Sequence, residues 1–193
     1  MNKERLQEMI DEKLVSVQKH PEADLFIYNY TPKVQYDKLW NEITLQTRGL
    51  ILDADMNYVA RPFGKFFNLE DHKPDEIPNE PFDVYEKMDG SLGILYWLND
   101  TPHIATRGSF TSEQALHATQ LLHSRYFHLF DKLNKNHTYL FEIIFPQNRI
   151  VVDYGNMDDL VLLAQIDTTT GKDVTVESIG FPIVKCFDGI NDL

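Results

Sequence analysis

Lys87-Met88-Asp89-Gly90 puts a primary amine two residues ahead of a carboxylate, beside an apolar run. A lysine amine can attack the α-phosphate of ATP, expel pyrophosphate and hold AMP as a phosphoramidate. To do so it must be unprotonated, a state that desolvation or neighbouring cations favour. If the segment is a strand, Lys87 and Asp89 face one side and Met88 the other. Gly90 lets the backbone turn close to a ligand without a Cβ in the way. The tetrapeptide alone reads more often as a surface Lys–Asp pair before a hairpin, the kind of ion pair that contributes little.

Other residues could share that chemistry. Glu142 lies within Thr138-Tyr139-Leu140-Phe141-Glu142-Ile143-Ile144-Phe145, where a buried carboxylate needs a partner. It can bond a ribose hydroxyl or reach a metal-bound water; a structural ion pair with Arg149 weighs equally. Arg48-Gly49 opens the apolar run Leu50-Ile51-Leu52, and Lys65 precedes Phe66-Phe67. Such cations can bind phosphate or act on a neighbouring lysine. Phe66 or Phe67 can stack on a base, although at least one fits a core role better. Arg107-Gly108-Ser109 precedes a helix start, which favours anions. Tyr28 and Tyr30 share a strand face and read as core. The histidines show no i,i+4 pair, and with a single cysteine, Cys186, zinc is disfavoured. Walker-type, G-x-G-x-x-G and G-x-S-x-G patterns are absent.

Several elements must position these groups. Residues 3–17 carry Leu6, Met9, Ile10, Leu14 and Val17 at helical spacing. Strands are expected over 25–30, over 47–63 as a pair turning at Asp53–Asn57, over 83–100 with 103–110, and over 138–145, 149–155 and 159–167. A second helix is expected over 112–134, with Ala115, Leu116, Leu122, Tyr126, Leu129 and Leu133 inward and a Thr111/Gln114 capping box. Residues 68–82, rich in proline and acid, read as a surface loop. The turn Thr168–Lys172 leads to a last strand pair or coil. Hairpin-linked strands with two long helices predict α+β, mostly antiparallel sheet, in one domain over 1–193.

The net charge of −12 argues against a protein that holds nucleic acid through a general basic field. A local cleft among Arg48, Arg61, Lys65, Lys87 and Arg107 remains compatible. Nucleic acid would then bind weakly, through few contacts and with strong salt dependence. No membrane span or signal peptide is visible, so the reading is cytoplasmic with no membrane partner.

In order, TRGLIL, RPFGKFFNLE, EKMDGSL, TRGSFTSEQAL and FEIIFPQNRIVVDYG resemble the ATP-dependent RNA ligases of the T-even phage RNA ligase 1 type, over roughly residues 25–175. The resemblance implies a nucleotidyltransferase catalytic domain of the kind shared with DNA ligases and capping enzymes, with Lys87 as the adenylated nucleophile. It implies that Arg48 and Glu142 hold the ribose, Glu142 also lying near a metal site. Lys65 would stand near the phosphates, Asp89 and Gly90 beside the lysine, and Tyr28 and Arg107 along the site. The implied substrates are ATP with Mg²⁺ or Mn²⁺, and RNA ends bearing a 5′-phosphate and a 3′-hydroxyl, broken tRNA among them. Such ligases continue with E-G-x-V and K-x-K segments and a C-terminal domain, which are not found before Leu193. The chain is therefore expected to be an N-terminal fragment or a truncated product with weakened catalysis. A DNA ligase, a capping guanylyltransferase and a catalytically incompetent nucleotide- or RNA-binding module are the alternatives.

Overall fold

The computed structural model describes residues 1–148, 150–176 and 178–187. Within them lies a sheet of β1 (Val15–Lys19), β2 (Leu25–Tyr30), β3 (Arg48–Asp53) and β4 (Tyr58–Ala60), in that order. A second sheet runs β10 (Asp173–Val174), β9 (Asp159–Asp167), β8 (His137–Ile144), β6 (Ser91–Leu98) and β7 (Thr101–Ala105), and a ribbon pairs β5 (Val84–Tyr85) with β11 (Cys186–Phe187). All of these ladders are antiparallel. The longer helices are α1 (Lys3–Asp11) and α4 (Glu113–Arg125); α2 (Pro32–Tyr36) and α3 (Glu42–Gln46) are short. The architecture is α+β, as the sequence pattern predicts.

Strand alternation sets the layers. In the β2–β3 register Ile27 faces Ile51 and Tyr28 faces Leu50. Ile27, Ile51 and Ala60 pack with Ile94, Tyr96, Ala105, Leu140 and Ile166 of the second sheet. The alternate residues Tyr28, Tyr30, Leu50 and Leu52 pack instead with Leu6 and Met9 of α1 and Ile43 of α3. On the far face of the second sheet, Leu95, Ile104, Phe141 and Ile143 meet Ala118, Leu121 and Leu122 of α4. The order is helix, sheet, sheet, helix. Each fully buried leucine or isoleucine in these clusters contributes about 1.5–3 kcal/mol.

The elements depart from expectation in several places. The first helix stops at Asp11: Lys13 takes a left-handed φ of 59°, Thr31 Oγ1 bonds its carbonyl, and Val15 onward pairs as β1. Leu14 and Val17 fit a helical period and Val15 and Val17 a two-residue one, and pairing with β2 decides between them. The second long helix ends at Arg125, and a 3-10 segment, Phe127–Lys132, continues the chain. Its cap is Ser112, whose hydroxyl accepts from the Ala115 amide, rather than a Thr111/Gln114 box; Leu116 is 58% exposed. Finally, the described residues of 149–155 form no strand; the Val151 and Val152 amides go to the Asp89 carboxylate instead of a ladder.

His20 ties the two sheets together. Its Nδ1 accepts from the Glu22 amide at 3.1 Å, so in the neutral ring Nε2 carries the proton and donates to Tyr96 Oη at 3.1 Å. Phe110 packs edge-on against it at 4.9 Å. Burial lowers its pKa from the ordinary value, with His103 adding to that and Glu22 opposing it; burial lowers His103 as well. Protonation would also set a second N–H against the Glu22 amide. Because the folded pKa is depressed, this stability is present above the unfolded value near 6.5 and is lost as pH falls through the folded one. The urea midpoint should therefore drop between about pH 8 and about pH 5.5. His20→Gln retains a donor and an acceptor without titrating in that range, so it should flatten the drop; an unchanged drop would rule His20 out as the cause.

Candidate active site

Lys87 lies in coil between β5 and β6, not within a strand, and its side chain is exposed. The expected strand alternation therefore does not set its direction; bonds to its neighbours do. Glu86 N–H donates to the Lys185 carbonyl, extending the β5–β11 ribbon by one bond. Met88 packs with Ile144, Val161 and Val184. The Asp89 amide donates to Tyr154 Oη at 2.9 Å, and its carboxylate accepts the Val151 and Val152 amides, both at 2.6 Å. These two amides hold the Asp89 carboxyl below its usual range, and Lys87 adds to the effect.

Gly90 donates its amide to Glu142 Oε1 at 2.8 Å. A Cβ on Gly90 would stand 2.5 Å from the Ile143 carbonyl oxygen and 2.7 Å from Ile144 Cδ1. The glycine is thus required by close approach to β8. Glu142 is half-buried, and burial raises its pKa, while the Gly90 amide, Lys87 and Arg48 pull it down and Asp89 pushes it up. Arg149, the partner considered for Glu142 from sequence, lies outside the described residues.

Gly49 brings the cations together. Its φ is +94°, and a Cβ there would lie 2.4 Å from Ile94 Cδ1 and 3.1 Å from the Arg107 carbonyl oxygen. This draws the start of β3 against the Thr106–Ser109 turn, and Arg48 and Arg107 share Tyr30. Arg107 Nη1 lies 3.5 Å from Tyr30 Oη, a weak bond at best, and its guanidinium is 5.4 Å from the ring centre. Burial lowers the Arg48 pKa and the Arg107 charge lowers it further, with Tyr30 and Glu142 opposing.

Aromatic faces stand beside each cation. Arg48 lies over Phe66 at 5.1 Å, and Lys65 over Phe67 at 4.6 Å and Trp40 at 5.6 Å. Lys65 Nζ also donates to the Phe66 carbonyl at 2.7 Å. Phe66 is 62% exposed, whereas Phe67 is half-buried against Trp40. No described carboxylate lies in ion-pair range of Arg48, Lys65, Lys87 or Arg107.

Electrostatic coupling thus links Lys87, Asp89, Glu142, Arg48 and Arg107, and Gly90 is bonded to Glu142. Lys65 stands in an aromatic setting that meets Arg48 through Phe66. Tyr28 is 7% exposed and packs in the α1-side cluster, where burial raises its pKa. The tyrosine that meets the arginines is Tyr30, two residues on. Its signal in sequence was the strand face shared with Tyr28, which could not say which one reaches the cations. Val151 and Val152 escaped notice because they act through amides. Tyr154 gave no sequence cue to its bond with Asp89.

The description "RNA ligase" belongs to the family model, of the T4 ligase 1 type, that matches residues 46–184. The chain belongs to this RNA ligase family. It is 29% identical to a protein of Autographa californica nuclear polyhedrosis virus named as a bifunctional polynucleotide kinase/RNA ligase, over 93% of this chain and 29% of that one. With an RNA ligase of Rhodothermus phage RM378 it shares 25% identity, over 68% of this chain and 39% of the other. The chain thus spans less than half the length of these relatives. A solved chain from Aquifex aeolicus, named as an ATP-dependent DNA ligase, superposes with a TM-score of 0.59 at 17% identity, covering 96% of this chain and 50% of that one. That likeness carries the fold alone.

Gly90→Ala should cost about 1–3 kcal/mol by overpacking against β8, read as a lower denaturant midpoint. Gly108 is the control: a Cβ there would sit no closer than 3.7 Å to Asn29, so Gly108→Ala should stay within about 0.5 kcal/mol of the parent. Equal midpoints for the two variants would contradict the close approach at Gly90.

Proposed function

We propose that the chain carries the adenylylation site of an ATP-dependent RNA ligase, with Lys87 as the AMP acceptor. The observation that carries this reading is an exposed lysine whose charge acts on both Asp89 and Glu142, although it makes no ion pair with a described carboxylate. Its neighbours on the chain are held by bonds that leave the amine itself unengaged.

Lys87 Nζ, deprotonated, attacks the α-phosphorus of ATP; the α–β phosphoanhydride bond breaks and pyrophosphate leaves. An RNA 5′-phosphate oxygen then attacks the same phosphorus, breaking its bond to Lys87. A 3′-hydroxyl finally attacks the activated 5′-phosphorus, and AMP departs. Phosphoryl transfer of this kind is governed by positioning and charge stabilisation. Arg48, Arg107 and Lys65 supply positive charge, and Glu142 Oε2 faces a ribose hydroxyl while Oε1 stays on Gly90. Among the described residues no group of three His, Cys, Asp or Glu forms a metal site. A divalent cation would be held chiefly by the nucleotide phosphates, and Glu142 is the carboxylate that would approach it. Bound there, it would offset the charge that builds on the phosphates.

Incubation with α-labelled ATP and Mg²⁺, followed by a denaturing gel, should label the parent protein and not Lys87→Ala. Pyrophosphate should remove the label. Label persisting in the variant would overturn the assignment of Lys87. GTP in place of ATP, and nicked DNA in place of single-stranded RNA ends, separate the RNA-ligase reading from a capping enzyme or a DNA ligase.

A further inference from the structure

Three consecutive residues, Asp89, Gly90 and Ser91, are all held by the stretch 142–154. Asp89 rests on the Val151 and Val152 amides and on Tyr154, and Gly90 on Glu142. The Ser91 hydroxyl donates to Asn148 Oδ1 at 3.1 Å. Asn148 is 8% exposed and holds three elements at once. Its Oδ1 also accepts from Gln114 Nε2 of α4 at 3.3 Å, and its Nδ2 donates to the Ile143 carbonyl of β8 at 3.0 Å. Its amide bonds the Phe145 carbonyl at 2.9 Å, closing the turn Pro146–Asn148.

Val151 and Val152 follow three and four residues later, 75% and 44% exposed, so packing does not hold them. Their amides depend on how the segment is held on either side, by Asn148 before them and by Tyr154 and Met157, which pack with Ile144, Val161 and Val184, after them. The far end also meets α4: His117 Nε2 lies 2.7 Å from Asp158 Oδ1, and Arg125 Nη1 donates to the Asp158 carbonyl at 2.6 Å. Gln114, His117 and Arg125 fall on one helical face. The helix thus grips residues 148 and 158, and the span between them presents its amides to Asp89.

We propose that Asn148 is a positioning residue for Lys87, acting by fixing the Val151 and Val152 amides that hold the Asp89 carboxylate. The proposal rests on the reading of Lys87 as AMP acceptor. Removing the Asn148 side chain takes an acceptor from Ser91 and Gln114 and a donor from the Ile143 carbonyl. The segment then drifts, Asp89 loses its two donors, and the backbone from 88 to 90 no longer directs the amine. A displacement of about 1 Å at a reacting group can cost about 100-fold in rate. The loss should fall on kcat, with the KM for ATP little changed.

Two readouts test this in the full chain. Amide exchange by NMR should show Val151 and Val152 protected despite their exposure. Asn148→Ala should speed their exchange at least about tenfold while β9 amides stay protected; Gln114→Ala, a milder cut, should move the same amides less. Unchanged exchange at Val151 and Val152 in Asn148→Ala overturns the placement, whether or not the chain takes label from ATP. The second readout is the rate of Lys87 labelling in Asn148→Ala, Asp89→Asn and the double variant. If Asn148 acts through Asp89, the double variant should be little slower than Asp89→Asn. Multiplying losses would overturn the route through Asp89. Absence of label in every protein would refute the reading of Lys87 while leaving the exchange result to decide the role of Asn148.

Discussion

The backbone of Gly90 lies so near β8 that no side chain fits between them, and the position of the Lys87 segment follows from this contact. With hydrogen as its side chain, residue 90 lets its amide reach Glu142 Oε1, and Ser91 enters the second sheet opposite Ile143. The register of β6 then runs on through Leu92 to Glu142 and Ile94 to Leu140. Ile94 in turn is the side chain that a Cβ on Gly49 would strike. Two glycines, one in β3 and one at the entry to β6, therefore bring a lysine, two arginines and a carboxylate into one neighbourhood, and each does so because of what its missing Cβ would meet.

The cations of this neighbourhood keep their charge available. In a chain of net charge −12, Arg48, Lys65 and Arg107 lie against aromatic faces instead of described carboxylates. A cation–π contact at an exposed site is worth about 0.5–1 kcal/mol, enough to favour a side-chain direction. It does not cancel the charge, as a carboxylate would. A phosphate arriving there would meet cations already oriented and would have no carboxylate to displace. Mutual repulsion of Arg48 and Arg107 works in the same sense, since an anion between them relieves it.

The strands of the second sheet were legible because their apolar runs are long and bounded by turns; β8 and β9 fall where the pattern puts them, and β6 takes only the second half of the span expected over 83–100. Short or ambiguous segments were not. Leu14 and Val17 fit a helical period, yet the left-handed turn at Lys13 is a tertiary outcome, fixed in part by Thr31 from another element. Residues 149–155 look like a strand, but side-chain acceptors take the Val151 and Val152 amides. For the site, residue types singled out Lys87, Arg48 and Glu142 as candidates, and the structure brings them into one neighbourhood. Residue types could not reveal amides acting on Asp89, nor choose Tyr30 over Tyr28, because a backbone N–H has no letter and the choice depends on where β2 ends beside the Arg107 turn.

A coil position suits the role proposed for Lys87, which would accept a nucleotidyl group and then pass it on. In a strand, the ladder would hold the backbone and alternation would fix one face. Here Met88 is half-buried, Asp89 and Gly90 are bonded, and Glu86 is paired to Lys185, so the backbone on both sides of Lys87 is held while its side chain stays exposed. The four-carbon stem can then move between acceptor and donor positions without reordering the chain. Its rotamer freedom is not already lost to an ion pair. The rigidity that orients the amine and the mobility that lets it turn over thus reside in different atoms: the first in neighbouring bonds, the second in the side chain.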